Sequence, residues 1–401
     1  MSQKEKNKKG SFITLLALAI TAFAIGTTEF ISVGLLPLIS EDLNVPITTA
    51  GLTVSLYALG ITVGAPILTS ITSGMSRKTI LTWVMVVFII GNLVAGLSTS
   101  IGMLLTARII TAFSHGVFMS IGTLIAADLV APNRKAGAIS IVLAGLSIAT
   151  ATGVPLGTFF GLQLGWRTAF MFIVVIGIIA LVANSILVPS NMAKGEKASM
   201  KSQFQLITNP RLILVFTISI LGYGGTFVAF TYLTPLLTDI TGYMPETVVI
   251  ILIIYGIATA IGNLIGGKLA NQNQIKALFY IFLVQSVILL VMYFTIPFKV
   301  AGLITVLCMG LLAFMSISGL QSYVMILAER FVPSAVNVAS AINIAAFQAG
   351  IALGSYLGGV VTDSIGLVHT TWIGAAMILC GVVLSAWGRS LESKEGRLKA
   401  T

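Results

Sequence analysis

Glu29, Arg108 and His115 are the residues whose types and positions could do ionic chemistry in an otherwise apolar chain. Glu29 interrupts the stretch Phe12 to Leu38, which is apolar or merely hydroxylic and long enough to cross a bilayer. A charge at that depth is costly, and such residues face a bundle interior or a water-filled path. Burial disfavours a carboxylate while a nearby guanidinium favours it, so the two influences together can leave the acid able to take and release a proton. Arg108 keeps its own proton and can serve as a fixed counter-charge. His115 follows it by seven residues, close to two turns, and so shares that helix face about 10 Å further along. An imidazole there can relay or sense the same proton. Plainer readings stand beside this one: a structural Glu29–Arg108 ion pair, Arg108 as a tie between two helices, and His115 as a hydrogen-bonding neighbour between Ser114 and Gly116.

The elements that must position these groups follow from composition. The chain has 401 residues, 57% hydrophobic and 8% charged, with a mean hydropathy of +1.05. That little charge cannot solvate a soluble surface, whereas lipid-facing helices need none. Apolar runs long enough to span about 30 Å of hydrocarbon predict helices over 12–36, 48–72, 79–98, 102–126, 137–160, 168–188, 211–236, 246–270, 275–296, 299–327, 334–360 and 370–388. Long unbroken runs exclude a β-barrel, whose strands alternate. The expected fold is an all-α membrane protein with twelve transmembrane helices. By helix rise, Glu29 lies about 25 Å from the start of the first helix and Arg108 about 9 Å into the fourth, which in a span of about 36 Å brings them to nearly one level.

Charge sets the expected orientation. Of the 22 Lys and Arg, all but Arg108, Arg167 and Lys299 fall in segments that are cytoplasmic if both termini are inside. The formal net charge of +10 is thus distributed by loop, not gathered on one soluble face as nucleic-acid binding would require. The basic start, MSQKEKNKKG, precedes a hydrophobic segment too long for a signal-peptide core and is expected to lead into a retained first helix. Cys308 and Cys380 lie within spans and suggest neither a disulfide nor a metal site.

The sequence is a tandem repeat. At an offset of 198, Pro37, Tyr57, Gly64 and Lys78 meet Pro235, Tyr255, Gly262 and Lys276; at 201, Pro132, Gly153, Gly157 and Gly165 meet Pro333, Gly354, Gly358 and Gly366. This predicts two pseudo-symmetric six-helix bundles, over 12–188 and 211–388, with a cytoplasmic tail at 1–11, a cytoplasmic linker at 189–210 and a second tail at 389–401. Parallel six-helix repeats are a transporter layout, with substrate held between the halves. The ionisable trio has no second copy: Glu29, Arg108 and His115 match Phe227, Val306 and Ala313. Ion chemistry is therefore expected in the N-terminal half.

Local motifs make the likeness specific. TTEF at Thr27 to Phe30, GLLP at Gly34 to Pro37, GAPILTSITSGMSRK at Gly64 to Lys78, RIITAFSHG at Arg108 to Gly116 and GVPLG at Gly153 to Gly157 together resemble the major facilitator superfamily. Within it they resemble the twelve-helix drug:proton antiporters and arabinose-efflux-permease-like proteins. The resemblance implies that Arg108 handles protons, that Gly153, Pro155 and Gly157 form an exporter signature, and that helices 1, 4, 7 and 10 line a cavity. Candidate lining residues are Tyr223, Phe227, Tyr232, Phe314 and Gln321, with Asn343 and Gln348 nearby on helix 11. Glycines there permit close helix approach and Pro155 removes one backbone bond, so a bend or a plain packing kink would follow. The loop after helix 2 departs from the family pattern: its acid is absent, with Ser73 before Gly74, Arg77 and Lys78, and Asn271 in the second copy. Arg77 must then find another acceptor.

The expected function is proton-coupled efflux of small organic compounds, drugs or other amphipathic molecules, by alternating access in the cell membrane. Its partners are substrate, protons and lipid; the protein acts as a monomer, without nucleic acid, cofactor or metal, on the energy of the proton gradient. Export of sugars or of purine bases and nucleosides by the same fold is the alternative. A sensor would be expected to carry a soluble domain, and an enzyme a nucleophile with its base or a ligand cluster, which neither His115 nor His369 provides by spacing.

Overall fold

The computed structural model describes residues 3–72, 74–131, 134–190, 200–270, 273–333 and 336–400. Among these there are twelve membrane-length apolar helices and no strand. They are α1 Ser11–Asp42, α2 Ile47–Ala65, α3 Arg77–Gly96, α4 Ile101–Asp128, α5 Gly137–Leu164, α6 Trp166–Leu187, α7 Pro210–Phe230, α8 Pro245–Ala270, α9 Gln274–Thr295, α10 Lys299–Phe331, α11 Val338–Ser364 and α12 Leu367–Ser393. A short helix, Met200–Thr208, precedes α7. Ser73, Asn271 and part of the linker lie outside the described residues.

Helix starts follow their sequence signals. Ser76 and Ser100 cap α3 and α4 by accepting from Thr79 N and Met103 N, each at 3.3 Å. Asn273 caps α9, accepting from Lys276 N at 2.9 Å. Asn209 caps α7 ahead of Pro210, whose missing N–H would have had no partner in a first turn. Two helices are broken. Beyond Phe230, α7 passes into a π-turn over Leu236–Ile240, and α10 is interrupted between Ala313 and Ile317. Large apolar side chains such as Ile71, Trp83, Ile186 and Leu264 are exposed on the helix surfaces, as a chain solvated by lipid requires.

The repeat is visible in the backbone. Gly165 between α5 and α6 has φ 84° and its match Gly366 has φ 108°; Asn44 after α1 has φ 51° and its match Gly242 has φ 72°. Left-handed backbone at matching turns identifies one supersecondary unit used twice. The chain divides into two compact units, Met1–Pro46 with Leu56–Lys197, and Ile47–Ser55 with Ala198–Thr401. The first turns of α2 thus cluster with the second unit.

Within the first unit, glycines let α5 lie directly on α1. A methyl on Gly157 would stand 2.6 Å from the Ile31 carbonyl oxygen, and one on Gly153 would stand 3.0 Å from Phe30 Cβ. Pro155 lies inside α5 between them. Thr158 adds a side-chain bond to Gly34 O at 3.3 Å. The second unit repeats the arrangement: Gly358 lies against Val228 O and Gly354 against Gly224. Gly64, on α2, similarly leaves no room for a methyl beneath Phe113, and its match Gly262 none beneath the Leu311 carbonyl. Close backbone approach of this kind is how helices associate where lipid removes the hydrophobic drive.

Gly157→Ala is expected to destabilise the detergent-purified protein by about 1–3 kcal/mol, because α1 must shift away. Gly137→Ala, where a methyl meets nothing within 4 Å, is the control. Thermal unfolding of the two variants, with equal melting points as the contrary result, checks this.

Candidate functional site

α1, α2 and α4 bring four polar side chains together inside the first unit. Glu29, Tyr57, Arg108 and His115 are all buried, Arg108 completely. The guanidinium donates from Nη1 to the Thr28 carbonyl at 2.7 Å and from Nη2 to the Glu29 carbonyl at 3.4 Å. Its central carbon sits 3.9 Å from the centroid of the Tyr57 ring, a cation–π contact strengthened by burial. The Glu29 carboxylate reaches His115, with Oε2 4.0 Å from Nδ1. Tyr57 Oη lies 3.2 Å from that same nitrogen. Glu29 and Arg108 also interact electrostatically.

The sequence trio is therefore one cluster, with two additions. Arg108 holds the α1 backbone as well as influencing the acid, and Tyr57 joins as a fourth member. Tyr57 was legible only as half of the Tyr57/Tyr255 repeat match; its chemistry depends on α2 lying beside α4. Asn92 on α3 secures Thr28, the residue before Glu29, its Oδ1 accepting from Thr28 Oγ1 at 3.4 Å. Ser32, one turn from Glu29, and Ser114, next to His115, carry buried hydroxyl oxygens without a hydrogen-bond partner.

At the N-terminal end of α3, Arg77 pairs with Asp128 at the C-terminal end of α4. Asp128 is the acceptor left open by the acid-free loop motif. Sequence alone did not select it, because it lies 51 positions away on a different helix. Lys78 donates to Ser185 O at 2.8 Å and to Ser190 Oγ at 3.3 Å. At the far end of α1, Asp42 binds Arg167 at 2.7 Å and accepts from Trp166 Nε1 at 3.2 Å. These pairs tie α4 to α3 and α6 to α1 within the first unit.

The cavity candidates fall into separate groups in the second unit. Tyr223, Phe227 and Phe314 are neighbours, with ring centroids 6.2–6.5 Å apart. Phe347, Phe230 and Tyr255 extend this cluster at 4.6, 5.1 and 5.5 Å from successive members. Gln321 and Asn343 bond one another, Nδ2 to Oε1 at 2.8 Å. Ser219 Oγ donates to Asn343 Oδ1 at 2.8 Å, and Gln321 Nε2 donates to Ser340. These two amides thus link α7, α10 and α11. Tyr232 stands apart, beside Gly358, its hydroxyl donating to Ser355 O at 3.4 Å. Gln348 is buried on α11.

A family profile described as Major Facilitator Superfamily matches residues 18–331. The chain belongs to this superfamily. An uncharacterized transporter of the same type from Bacillus subtilis, YtbD, is 65% identical over 96% of the chain and 98% of that protein. The inner membrane transport protein YdhP of Escherichia coli K12 is 34% identical over 92% and 94%. The putative transporter AraJ of the same bacterium is 29% identical over 88% and 89%. The crystal structure of the human organic anion transporter MFSD10 shares the fold, with a TM-score of 0.68 at 16% identity, covering 94% of this chain and 99% of that one. The chain thus has the major facilitator fold and is an integral membrane transporter.

The bonds among Ser219, Gln321 and Asn343 tie three helices together. Asn343→Ala removes one partner from both Ser219 and Gln321 and is expected to cost about 1–3 kcal/mol. A lowered melting temperature with substrate affinity retained is the expected result; loss of affinity at unchanged stability would return Asn343 to the cavity.

Proposed function

We propose that this transporter is a proton-coupled exporter of small amphipathic organic compounds, working by alternating access in the cell membrane with both termini cytoplasmic. The observation that carries the proposal is the buried Glu29 carboxylate within 4.0 Å of His115 Nδ1, in the repeat that also holds the buried Arg108. A buried acid beside a fixed cation and a titratable ring contributes little to net stability as packing and is suited to taking and releasing a proton. In the cycle, the state open to the outside protonates Glu29 and releases cargo. The state open to the inside gives up the proton as cargo binds. Protons and cargo are the only partners the cycle needs besides lipid.

The asymmetry of the repeat supports a division of labour. Glu29 matches Phe227, which lies in the ring cluster of Tyr223, Phe314 and Phe347. One unit buries charged side chains and the other a polarizable apolar ring cluster whose chemistry suits amphipathic cargo. The amides of Gln321 and Asn343, which would serve sugar hydroxyls, bond each other, and this favours amphipathic compounds over sugars. The GVPLG motif, packed on α1 next to Glu29, supports export as the direction.

The test is purified protein in liposomes with an imposed pH gradient, following the lumenal pH as lipophilic cations, sugars and nucleosides are added. Lipophilic compounds should collapse the gradient, and Glu29→Gln should abolish that response while reaching the membrane in normal amount. Full gradient-driven transport by Glu29→Gln would remove the acid from the cycle, and a response confined to sugars would change the cargo.

A further inference from the structure

Two groups compete for one atom. Glu29 Oε2 is 4.0 Å and Tyr57 Oη 3.2 Å from Nδ1 of His115, and that nitrogen either carries one proton or none. When it carries the proton it can donate to the Glu29 carboxylate. When it is bare it can only accept, and the phenol is the neighbour with a proton to give. We propose that Tyr57 is the alternative partner of His115, which catches the imidazole after Glu29 has been protonated; this rests on the coupling role given to Glu29.

The step balances with the ring neutral throughout. A hydronium ion gives its proton to Nε2 and leaves as water, while the Nδ1–H bond breaks and that proton bonds to Glu29 Oε2. The product is a neutral acid, an Nε2–H imidazole and a bare Nδ1. Tyr57 then donates to Nδ1, which holds the ring in the new tautomer until the acid is ready to return its proton. Tyr57 keeps its own proton and acts as a positioning residue.

The second repeat shows that this contact is specific to the ion cluster. Tyr255 matches Tyr57 and its ring is stacked on Phe230 at 5.5 Å, yet its buried hydroxyl oxygen has no hydrogen-bond partner. Where His115 would stand, the second unit has Ala313. The ring is thus common to both repeats, while the use of its oxygen belongs to the first. The same ring supports Arg108 through its face, so α2 holds both the cation and the histidine. Among the described residues, the charged or titratable groups facing His115 are Glu29 from α1, Tyr57 from α2 and Arg108 on its own helix.

The chain has only two histidines, so His115 can be observed alone by nitrogen-15 NMR of histidine-labelled protein in a His369→Gln background. In that background, Glu29→Gln, which imitates the protonated acid, should move the proton from Nδ1 to Nε2. Tyr57→Phe keeps the ring under Arg108 and removes only the oxygen. Added to the Glu29→Gln protein, it should erase the preference for one tautomer. In otherwise unsubstituted protein, Tyr57→Phe should slow gradient-driven transport about tenfold and shift its pH profile, while cargo-for-cargo exchange, which needs no net proton, continues. An unchanged tautomer ratio when Tyr57→Phe is added to the Glu29→Gln protein, or slower transport with an unshifted pH profile, overturns the proposal. The NMR arm needs no transport, so a wild-type protein that fails to use a pH gradient removes the exporter reading and leaves the tautomer result to decide the role of Tyr57.

Discussion

A guanidinium wholly withdrawn from water must satisfy its donors with protein atoms, and Arg108 does so on the main chain of α1. Removing one member of such an arrangement leaves an unpaired buried charge, at a cost of about 3–5 kcal/mol. The requirement fixes which turn of α1 faces α4. It thereby decides where the Glu29 side chain emerges. Since side chains lean toward the start of their helix, carboxylate and guanidinium can attend to different partners while remaining electrostatically coupled. The close seat of Gly157 on Ile31 adds a second constraint on the same stretch of α1.

The two units show how one scaffold carries different chemistry. Matching glycines make matching close approaches, α5 on α1 and α11 on α7, and matching left-handed turns join the later helices. On that common frame, the site of Glu29 is taken by Phe227, Arg108 by Val306 and His115 by Ala313. All three replacements are buried, so the second unit fills with apolar atoms the volume in which the first places its charges. Tyr57 and Tyr255 survive in both because a phenol serves either setting, its ring packing on aromatics and its oxygen meeting an imidazole.

Much of this was legible in the sequence, and the limits have physical causes. All twelve helices fall where apolar runs place them, since a bilayer imposes length and composition on every span. Their edges extend by a few residues at places such as Asp42 and Leu164, where the hydrogen-bonded helix continues beyond the apolar run. The repeat was readable because glycine and proline are dictated by backbone geometry, which both copies share. Partnerships were less legible. Arg77 meets Asp128, and Gln321 meets Asn343, across helices whose rotation depends on packing. A polar side chain in an apolar helix signals that it has a partner without saying which, so the bond between the two amides was not readable from sequence.

The interruption of α10 has a mechanical consequence. Between Ala313 and Ile317 the regular ladder gives way to shorter-range bonds, Met315 N to Leu312 O at 3.1 Å and Ile317 N to Phe314 O at 3.3 Å. A rod interrupted at one turn concentrates its compliance there, and Phe314 of the ring cluster sits at that joint. Pressure against this ring therefore acts on the softest point of the rod, and the two segments can swing about it while each keeps its own internal bonds.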